Sequence, residues 1–446
     1  MKPRKLTFWP LVAATFLIVS GGAYGTEDII GGAGYRGAIW ILLLTPLFWS
    51  LPVAFMVGEL STALPVDGGY YVWVRRAMGD FWGFQEAWLS LVASIFDMAI
   101  YPALFVAYLQ HLLPWFGAGH RGLVVGVLIV AVAMIMNIAG IHTVGISSLW
   151  IFALLSAPFA ALVLLAPFKA GALSHLSVAH AAPSVGLLGG ILVAMWNYMG
   201  WDNASTVAGE VERPRRAYPR AIFLTLGIVA LTYLLPVAAV WLTGAPASTF
   251  ETGSWAEVAG WLGGPWLRLA LVAGGMFSAF GMLNALVMSY SRLPLAMAQD
   301  GMLPRTFGKL HPRTGAPWVA IVACAVGWSV CLGLGFENLI VLDVVLSGAS
   351  VLLEFAALIV LRRKEPGLER PFRVPGGIWG VALIGVGPAL LVALSSAQSA
   401  TEHIWRINGL LAGGLLAFAG FLLYAVVRAL AANGRLAAAL KARKAA

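Results

Sequence analysis

The first long apolar segment of the chain is interrupted at Ser20-Gly21-Gly22-Ala23-Tyr24-Gly25-Thr26-Glu27-Asp28. Glycines allow a membrane-spanning helix to unwind, and unwound backbone is tolerated at membrane depth only where protein buries it or where it lines a wet cavity. The stretch ends in two carboxylates, which are costly at that depth and need a partner. It therefore predicts a binding site, with Gly21, Gly22, Tyr24 and Glu27 as contact residues.

The composition around this stretch is that of a membrane protein. The 446 residues are 60% hydrophobic and 11% charged, with a mean hydropathy of +0.87, which excludes a soluble domain of this length. A helix needs roughly 20 apolar residues to cross a bilayer, and about twelve such segments can be placed along the chain. We expect an all-α polytopic membrane protein of about 12 transmembrane helices.

Basic residues in the connecting segments predict the orientation. If the N-terminus lies inside, the inner segments hold all but five of the 28 Lys and Arg residues, and the five are Arg36, Arg121, Lys169, Arg268 and Arg406. Both termini are therefore predicted to be cytoplasmic. The net charge of +9 follows from this topology, so it indicates no nucleic acid partner. We expect the protein in a bacterial inner membrane or a plasma membrane.

A second break lies five spans after the first, at Asn197-Tyr198-Met199-Gly200-Trp201-Asp202-Asn203. An odd number of spans inverts the second copy, so the pattern predicts two inverted five-span repeats with broken helices 1 and 6, followed by two extra spans. The predicted units are residues 1–167, 184–364 and 375–430. Half-helix ends at such breaks expose unpaired N–H and C=O groups, which is typical of the midplane sites of secondary transporters.

Acidic residues at membrane depth mark the predicted site. Asp97 lies in the middle of the third span with no Lys or Arg nearby in sequence, and Asp202 follows Trp201 at the second break. A charge at a helix centre costs at least about 2.5 to 3.5 kcal/mol, which favours a functional role for both residues. Glu27 and Asp28 either cap the second half-helix or contact a ligand. Proton coupling needs a buried carboxyl that can take up a proton, and the candidates are Glu27, Asp28 and Asp97.

Aromatic side chains lie at or beside both breaks, namely Tyr24, Tyr101, Trp196, Tyr198 and Trp201. Such rings either pack in the core or enclose a cation, with an attraction of roughly 0.5 to 2 kcal/mol. Tyr101 lies one helical turn beyond Asp97, on the same face. Acids together with aromatic rings predict a pocket for an organic amine rather than for a neutral sugar.

Three further acids, Glu59, Glu86 and Glu210, lie toward the predicted cytoplasmic ends of their spans. They either form structural ion pairs with loop arginines or belong to an inner gate. The loop arginines are Arg75, Arg76 and Arg213, and the inner-gate candidates are Glu59, Glu210 and Arg213.

The remaining ionisable residues receive no functional role. Asp343 and Glu354 share nearly one face of the tenth span, and they are expected at the outer vestibule and at a scaffold seam, respectively. No pair of histidines has the spacing of a metal site, so no metal is predicted. No cofactor is predicted either, and the spans hold no nucleophile and base set that would indicate an enzyme.

Several stretches together resemble one known family, the amino acid-polyamine-organocation superfamily, and within it the polyamine:proton symporter group. Two stretches mark the superfamily broadly, Glu59-Leu60-Ser61-Thr62 and Gly209-Glu210-Val211-Glu212-Arg213-Pro214. Three features point to the polyamine branch, namely Glu27-Asp28 after the first break, Asp97 in the third span and Trp201-Asp202 at the second break. Many amino-acid-transporting members have a Gly-Ser-Gly-like break where this chain has Gly21-Gly22-Ala23.

The resemblance implies a leucine-transporter-like fold and import of organic cations, such as putrescine or spermidine, by proton-coupled alternating access. A polyamine carries two or more positive charges, so separated carboxylates are its natural partners, and Asp97, Asp202 and Glu27 supply such a set if their spans converge. An obligatory partner subunit is not indicated.

Three alternatives stay open. The first is that the protein is an amino-acid permease or exchanger of the same superfamily. The second is that it is a membrane-embedded sensor or scaffold that moves no substrate, and the lack of a sizeable soluble output domain argues against a sensor. Coupling to sodium is the rival to protons, because the carbonyl groups of the first break and a hydroxyl such as that of Ser278 are suitable ligands.

Overall fold

The chain folds into a bundle of helices. The computed structural model describes residues 5–117, 120–174, 187–333, 336–404 and 407–445. The predicted start of the second repeat, at residue 184, lies outside this part of the chain, as does Arg406. The first half of the bundle contains α1 (Phe8–Val19), α2 (Glu27–Thr45), α3 (Leu51–Ala63), α4 (Gly69–Met78), α5 (Asp80–Gln110), α6 (Arg121–Ile138) and α7 (Ile141–Leu165).

The second half of the bundle is also helical and contains one small hairpin. Its helices are α8 (Leu187–Asn197), α9 (Pro214–Thr243), α10 (Trp255–Gly263), α11 (Pro265–Tyr290), α12 (Arg292–Gln299), α13 (Trp318–Ser329), α14 (Phe336–Lys364), α15 (Gly377–Ser399) and α16 (Gly409–Ala445). Strands β1 (His403–Ile404) and β2 (Ile407–Asn408) pair antiparallel between α15 and α16.

Within the described residues, nine helical segments are long and apolar enough to cross a membrane, and three shorter apolar helices, α1, α8 and α13, accompany them. Large apolar side chains such as Trp379, Leu383 and Phe418 lie exposed on α15 and α16. Water would penalise this surface, whereas lipid tails would not. The chain is therefore an integral membrane protein with many helical crossings.

The first predicted break is a true interruption of helix. Residues 20–26 separate α1 from α2, and the φ angles of Gly22 (76°) and Gly25 (89°) are positive. Only glycine adopts such angles without strain. The helix after the break turns again at Gly34, where φ is 67° and ψ is 171°, and a single π-helical stretch, Pro46–Ser50, then joins α2 to α3. The second half of the first span is therefore short.

The second predicted break is also an interruption of helix, but the chain after it is irregular. Helix α8 ends at Asn197, but no regular second half-helix follows, and residues 203–210 form two short 3-10 turns before Pro214 begins α9. Side chains from other elements take the backbone carbonyls that a helix would use, since Ser289 donates to the carbonyl of Asn203 (2.7 Å) and Tyr218 to that of Ala204 (2.6 Å). The segment therefore presents an irregular backbone to the centre of the bundle.

Three long helices surround these breaks. Helix α5 packs against both α11 and α14, and α1 packs against α7, α9 and α11. Their facing surfaces bury small residues, so that the helices approach closely; a Cβ on Gly275 of α11 would collide with the ring of Tyr108 on α5. The two breaks and helices α5, α11 and α14 thus enclose the centre of the molecule.

Candidate functional site

A small cavity, here called the acidic cavity, lies where the end of α1 and the second break meet helices α5, α11 and α14. Three carboxylates line it, Asp97 from α5, Asp202 from the second break and Asp343 from α14. The other lining side chains used below are Tyr101, Trp196, Tyr290, Ser90, Ser347 and Ser350. The structure therefore brings together two of the acids that the sequence singled out and adds a third.

Asp97 accepts hydrogen bonds from more side chains than the other two carboxylates do. Its Oδ1 accepts hydrogen bonds from the hydroxyl of Tyr101 (2.6 Å) and the indole of Trp196 (3.3 Å), and its Oδ2 accepts one from the hydroxyl of Tyr290 (3.2 Å). All three donors are neutral. The carboxylate is thus oriented by hydrogen bonds, but its charge is not compensated by any of them.

The other two carboxylates of the cavity have fewer donors. Asp202 faces the backbone N–H groups of its own residue and of Asn203. Asp343 accepts a hydrogen bond from Ser347 (2.8 Å) and has Asp97 and Asp202 as electrostatic neighbours. None of the ion pairs among the described residues involves these three acids. Three nearly buried carboxylates without a cation make a strongly negative site, which suits a ligand with several positive charges.

The aromatic residues of the site are divided between the cavity and the surrounding core. The rings of Tyr101 and Trp196 lie 6.2 Å apart at the cavity wall. Tyr198 instead donates its hydroxyl to the carbonyl of Leu42, and Trp201 is fully buried. The structure places neither Tyr198 nor Trp201 in the lining of the acidic cavity.

The glycines and the tyrosine of the first break also lie outside this lining. The carbonyl of Gly21 accepts a hydrogen bond from Ser278 (2.6 Å), and Tyr24 donates to the carbonyl of Leu271 (3.0 Å). Gly22 lies next to Leu155, which a Cβ would approach to 3.0 Å. Contact of these three residues with a ligand stays a prediction, because none of them lines the acidic cavity in this conformation.

Glu27 and Asp28 join the first break to the loop before α10. Glu27 accepts hydrogen bonds from the backbone N–H of Gly25 (2.6 Å), from the backbone N–H of Gly253 (3.2 Å) and from the hydroxyl of Tyr108. Asp28 accepts one from Thr252 (2.8 Å). Glu27 thus accepts from an N–H of the break itself, whereas α2 has no side-chain cap at its start, and the pair ties the break to the loop before α10.

The opposite end of the bundle is closed by a buried ion-pair cluster. Both oxygens of Glu59 pair with Arg362, and Oε1 lies 3.3 Å from Arg370. The backbone N–H of Val374 donates to the same carboxylate at 2.7 Å. The expected partners of Glu59, the arginines of α4, are instead used elsewhere, since Arg75 pairs with Asp80 and Asp300, and Arg76 with Glu365.

The other inner-gate candidates separate. Glu210 pairs with Arg292 at the start of α12 (3.0 Å), whereas no ion pair of Arg213 is found among the described residues. Arg213 instead has a left-handed backbone (φ 51°) and an exposed side chain, and it precedes Pro214 at the start of α9. The structure thus corrects the predicted partners, because residues distant in sequence approach the two glutamates.

Two residues of the cavity escaped the interpretation of the sequence. Asp343 was expected in an outer vestibule, but α14 places it in the cavity wall beside Asp97. Tyr290, which donates to Asp97, lies at the end of α11, where nothing in the sequence distinguishes it from other interfacial tyrosines. The signal for Asp343 was its position as an isolated acid in an apolar span.

Comparisons with known proteins agree with this architecture. The model of the amino acid permease family matches residues 7–417. A polyamine transporter of Arabidopsis thaliana is 35% identical over 88% of this chain and 80% of its own length, and one of Oryza sativa subsp. japonica is 34% identical over 93% and 77%. A serine/threonine exchanger of Bacillus subtilis is more distant, with 27% identity over 72% of this chain and 74% of its own length.

Proposed function

Because the chain belongs to the amino acid permease family, we propose that it imports polyamines, such as putrescine or spermidine, by proton-coupled alternating access. The observation that supports this most strongly is the convergence of Asp97, Asp202 and Asp343 on one cavity, with no ion pair to any of them among the described residues. A ligand with two or more ammonium groups would neutralise these carboxylates and form favourable charge pairs with them. The names of the plant relatives point to the same substrate class.

Aromatic side chains of the cavity complete the binding site in this proposal. The methylene chain between two ammonium groups packs on the rings of Tyr101 and Trp196, which lie at the wall next to Asp97. An ammonium group held over such a ring gains roughly 0.5 to 2 kcal/mol, the larger value when water is excluded. The site therefore favours a flexible diamine or polyamine over an inorganic cation.

Alternating access is supported by two closures at opposite ends of the bundle. Glu27 and Asp28 hold the loop before α10, and Glu59 holds Arg362 and Arg370. Breaking one closure at a time would open the acidic cavity to one side of the membrane. We assign the Glu59 end to the cytoplasm because the basic residues of the connecting segments predict that orientation.

The finer architecture belongs to the same proposal. We infer about twelve spans in two inverted five-span repeats with two extra helices, because interrupted helices occur at residues 20–26 and again after Asn197. The proposed units remain residues 1–167, 184–364 and 375–430, and the proposed location is a bacterial inner membrane or a plasma membrane. An obligatory partner subunit is not indicated.

An amino-acid exchanger is the second candidate function, favoured by the similarity to the serine/threonine exchanger. In that function the substrate carboxylate would rest on the backbone near Gly21 and Gly22. Sodium is the corresponding rival to the proton. The Ser278 hydroxyl donates a hydrogen bond to the carbonyl of Gly21 (2.6 Å), and both oxygens keep lone pairs that could coordinate sodium.

Uptake of radiolabelled putrescine and spermidine into proteoliposomes tests the proposal. An imposed inward proton gradient should drive accumulation by the wild type, with arginine and leucine as weak competitors. Asp202→Asn should reduce uptake at low substrate concentration by roughly tenfold or more, which corresponds to about 1.4 kcal/mol of lost binding.

The matched control is Glu257→Gln, which removes an exposed carboxylate of α10 far from the cavity and should transport like the wild type. Transport or competition by amino acids without polyamine uptake would contradict the proposal and favour the exchanger. If a sodium gradient drives uptake as effectively as a proton gradient does, only the proposed coupling to protons is contradicted.

A further inference from the structure

Two glutamates lie beyond the acidic cavity and take no part in the substrate site described above. Glu86 lies eleven residues before Asp97 on α5, and Glu354 lies eleven residues after Asp343 on α14. Eleven residues complete three helical turns and span about 16 Å, so each helix presents two acids on one face. Because α5 and α14 pack together with Asp97 near Asp343, Glu86 lies near Glu354, toward the end that Glu59 closes.

The two glutamates are fully buried and poorly satisfied. Glu86 Oε1 accepts a hydrogen bond from Ser350, but Oε2 has no partner, and neither oxygen of Glu354 has one. No ion pair among the described residues reaches either side chain. Two ionised carboxylates in this position would each lose several kcal/mol of solvation without a cation to compensate.

A network of hydroxyl and amide groups connects this pair to the cavity. Ser350 bonds to Ser90 (3.0 Å), and both serines line the acidic cavity. Tyr70 of α4 interacts with Ser90 and donates to the side-chain carbonyl of Asn203 (3.3 Å). The amide of Asn203 in turn donates to Tyr290 (3.3 Å), the donor to Asp97.

The surroundings of the pair contain acids and tyrosine but no available cation in the part of the chain that the structure describes. Tyr70 approaches it from α4, and Asp202 approaches it from the second break. On α14 itself the nearest charged side chains are Asp343 and Arg362, and Arg362 is held by Glu59 of α3. Protonation is therefore the way in which this site can lose its excess negative charge.

We propose that Glu86 and Glu354 share the transported proton. Proton coupling then takes place at this pair rather than at the carboxylates that bind the polyamine. The inference rests on the proposed transport function and identifies its coupling site. The acidic cavity reaches Ser90 and Ser350 but does not include the two glutamates, so we assign the polyamine to the cavity and a proton to the pair. With the proton on Glu86, its O–H donates to Ser350 and the serine bond to Ser90 reverses.

The pair is coupled to the substrate through charge. Asp202 is an electrostatic neighbour of both glutamates and lines the acidic cavity. An ammonium group bound at Asp202 and a proton on the pair both reduce the negative charge of these neighbouring carboxylates. The state that carries both is therefore the best compensated one. We assign to it the conformational change that moves substrate and proton in the same direction, with release toward the end that Glu59 closes in this conformation.

Two measurements test the proposal. Infrared difference spectra of the purified full-length protein detect the carbonyl stretching band of protonated carboxyl groups. In the wild type at neutral pH we expect this band to contain a contribution from the pair. The contribution should be lost in the double variant Glu86→Gln/Glu354→Gln and kept in Glu257→Gln. An unchanged band in the double variant would overturn the proposal, whether or not the protein transports polyamines.

The second measurement separates coupling from substrate movement in proteoliposomes that contain a pH-sensitive dye. For Glu354→Gln we expect loss of gradient-driven accumulation and of proton influx with substrate, while exchange of labelled for unlabelled polyamine continues. Glu354→Asp keeps a carboxyl and should recover part of the accumulation. Proton influx retained by Glu354→Gln, or lost only in Glu27→Gln, would assign coupling to another site and overturn the proposal.

The two measurements also separate this proposal from the proposed function. If the wild type exchanges no polyamine, the function fails, and the infrared band alone decides whether the pair holds a proton. If exchange is observed but the Gln variants still accumulate substrate, the function stands and the proton site is wrong.

Discussion

Asp97 shows how single side chains build the site. Its donors come from its own helix, from α8 and from α11, so one carboxylate connects three elements at the centre of the bundle. Neutral donors fix the position of the carboxylate but leave its charge available. The same holds for Asp343, whose hydrogen-bond donor is Ser347. The site thus combines fixed geometry with uncompensated charge, which suits a cation that arrives and leaves.

Substitution of Asp343 tests the residue that the sequence did not identify. Asp343→Asn keeps the acceptor for Ser347 and removes one charge, so we expect weaker polyamine binding by roughly tenfold, or about 1.4 kcal/mol. The measurement is the concentration dependence of labelled spermidine exchange. A substrate affinity equal to that of Glu257→Gln would place Asp343 outside the binding site.

At the scale of elements, the glycines of the breaks have a role that neighbouring residues cannot take. Gly200 lies in the second break with a φ of 91°, and a Cβ there would approach the carbonyl oxygen of Ile18 in α1 to 3.0 Å. The break therefore depends on a left-handed backbone and on close approach to the first broken span. In contrast, Gly227 lies inside α9 with open space around it.

These two glycines make a matched pair of substitutions. Gly200→Ala should destabilise the folded protein by about 1 to 2 kcal/mol because it forces an L-residue into the left-handed region. Gly227→Ala should stabilise it by roughly 0.5 to 1 kcal/mol because alanine is the better helix former. Thermal unfolding in the same detergent measures both changes as shifts of Tm, and equal shifts would contradict the assignment.

At the scale of the whole molecule, ionic contacts between distant segments close the bundle. The cluster of Glu59, Arg362 and Arg370 joins α3 to the end of α14 and to the segment that follows it, and its members are almost fully buried. A buried carboxylate that loses its arginine is left with an uncompensated charge. The cluster therefore holds this end closed in the conformation observed.

Removal of one arginine should open or destabilise that end. Arg362→Gln should cost about 3 to 5 kcal/mol in the closed state, measured as a fall in Tm or as faster labelling of a cysteine introduced at Ser347. The control is Arg215→Gln at the exposed pair with Glu369, which should change stability by less than about 1 kcal/mol. Equal effects of the two substitutions would contradict a role for Glu59 in closure.

Local properties of the chain were predictable because they depend on the residues themselves. Hydrophobic length fixed the membrane class, since nothing else can bury such segments. Gly21, Gly22 and Gly25 fixed the first break through their backbone freedom. The isolated acids Asp97 and Asp202 were recognisable because charge in an apolar span is costly. The family resemblance drawn from these motifs is confirmed by the match over residues 7–417.

Only the tertiary structure decided which residues distant in sequence contact one another. Glu59 pairs with Arg362 rather than with the arginines of α4, and Asp343 joins Asp97 in the cavity, because helix packing and rotation bring together residues hundreds of positions apart. The irregular chain after Asn197 has the same origin, since side chains from α9 and α11 take its carbonyl groups. Sequence spacing sets the face on which a side chain lies, whereas the neighbours of that face depend on the packing of the whole bundle.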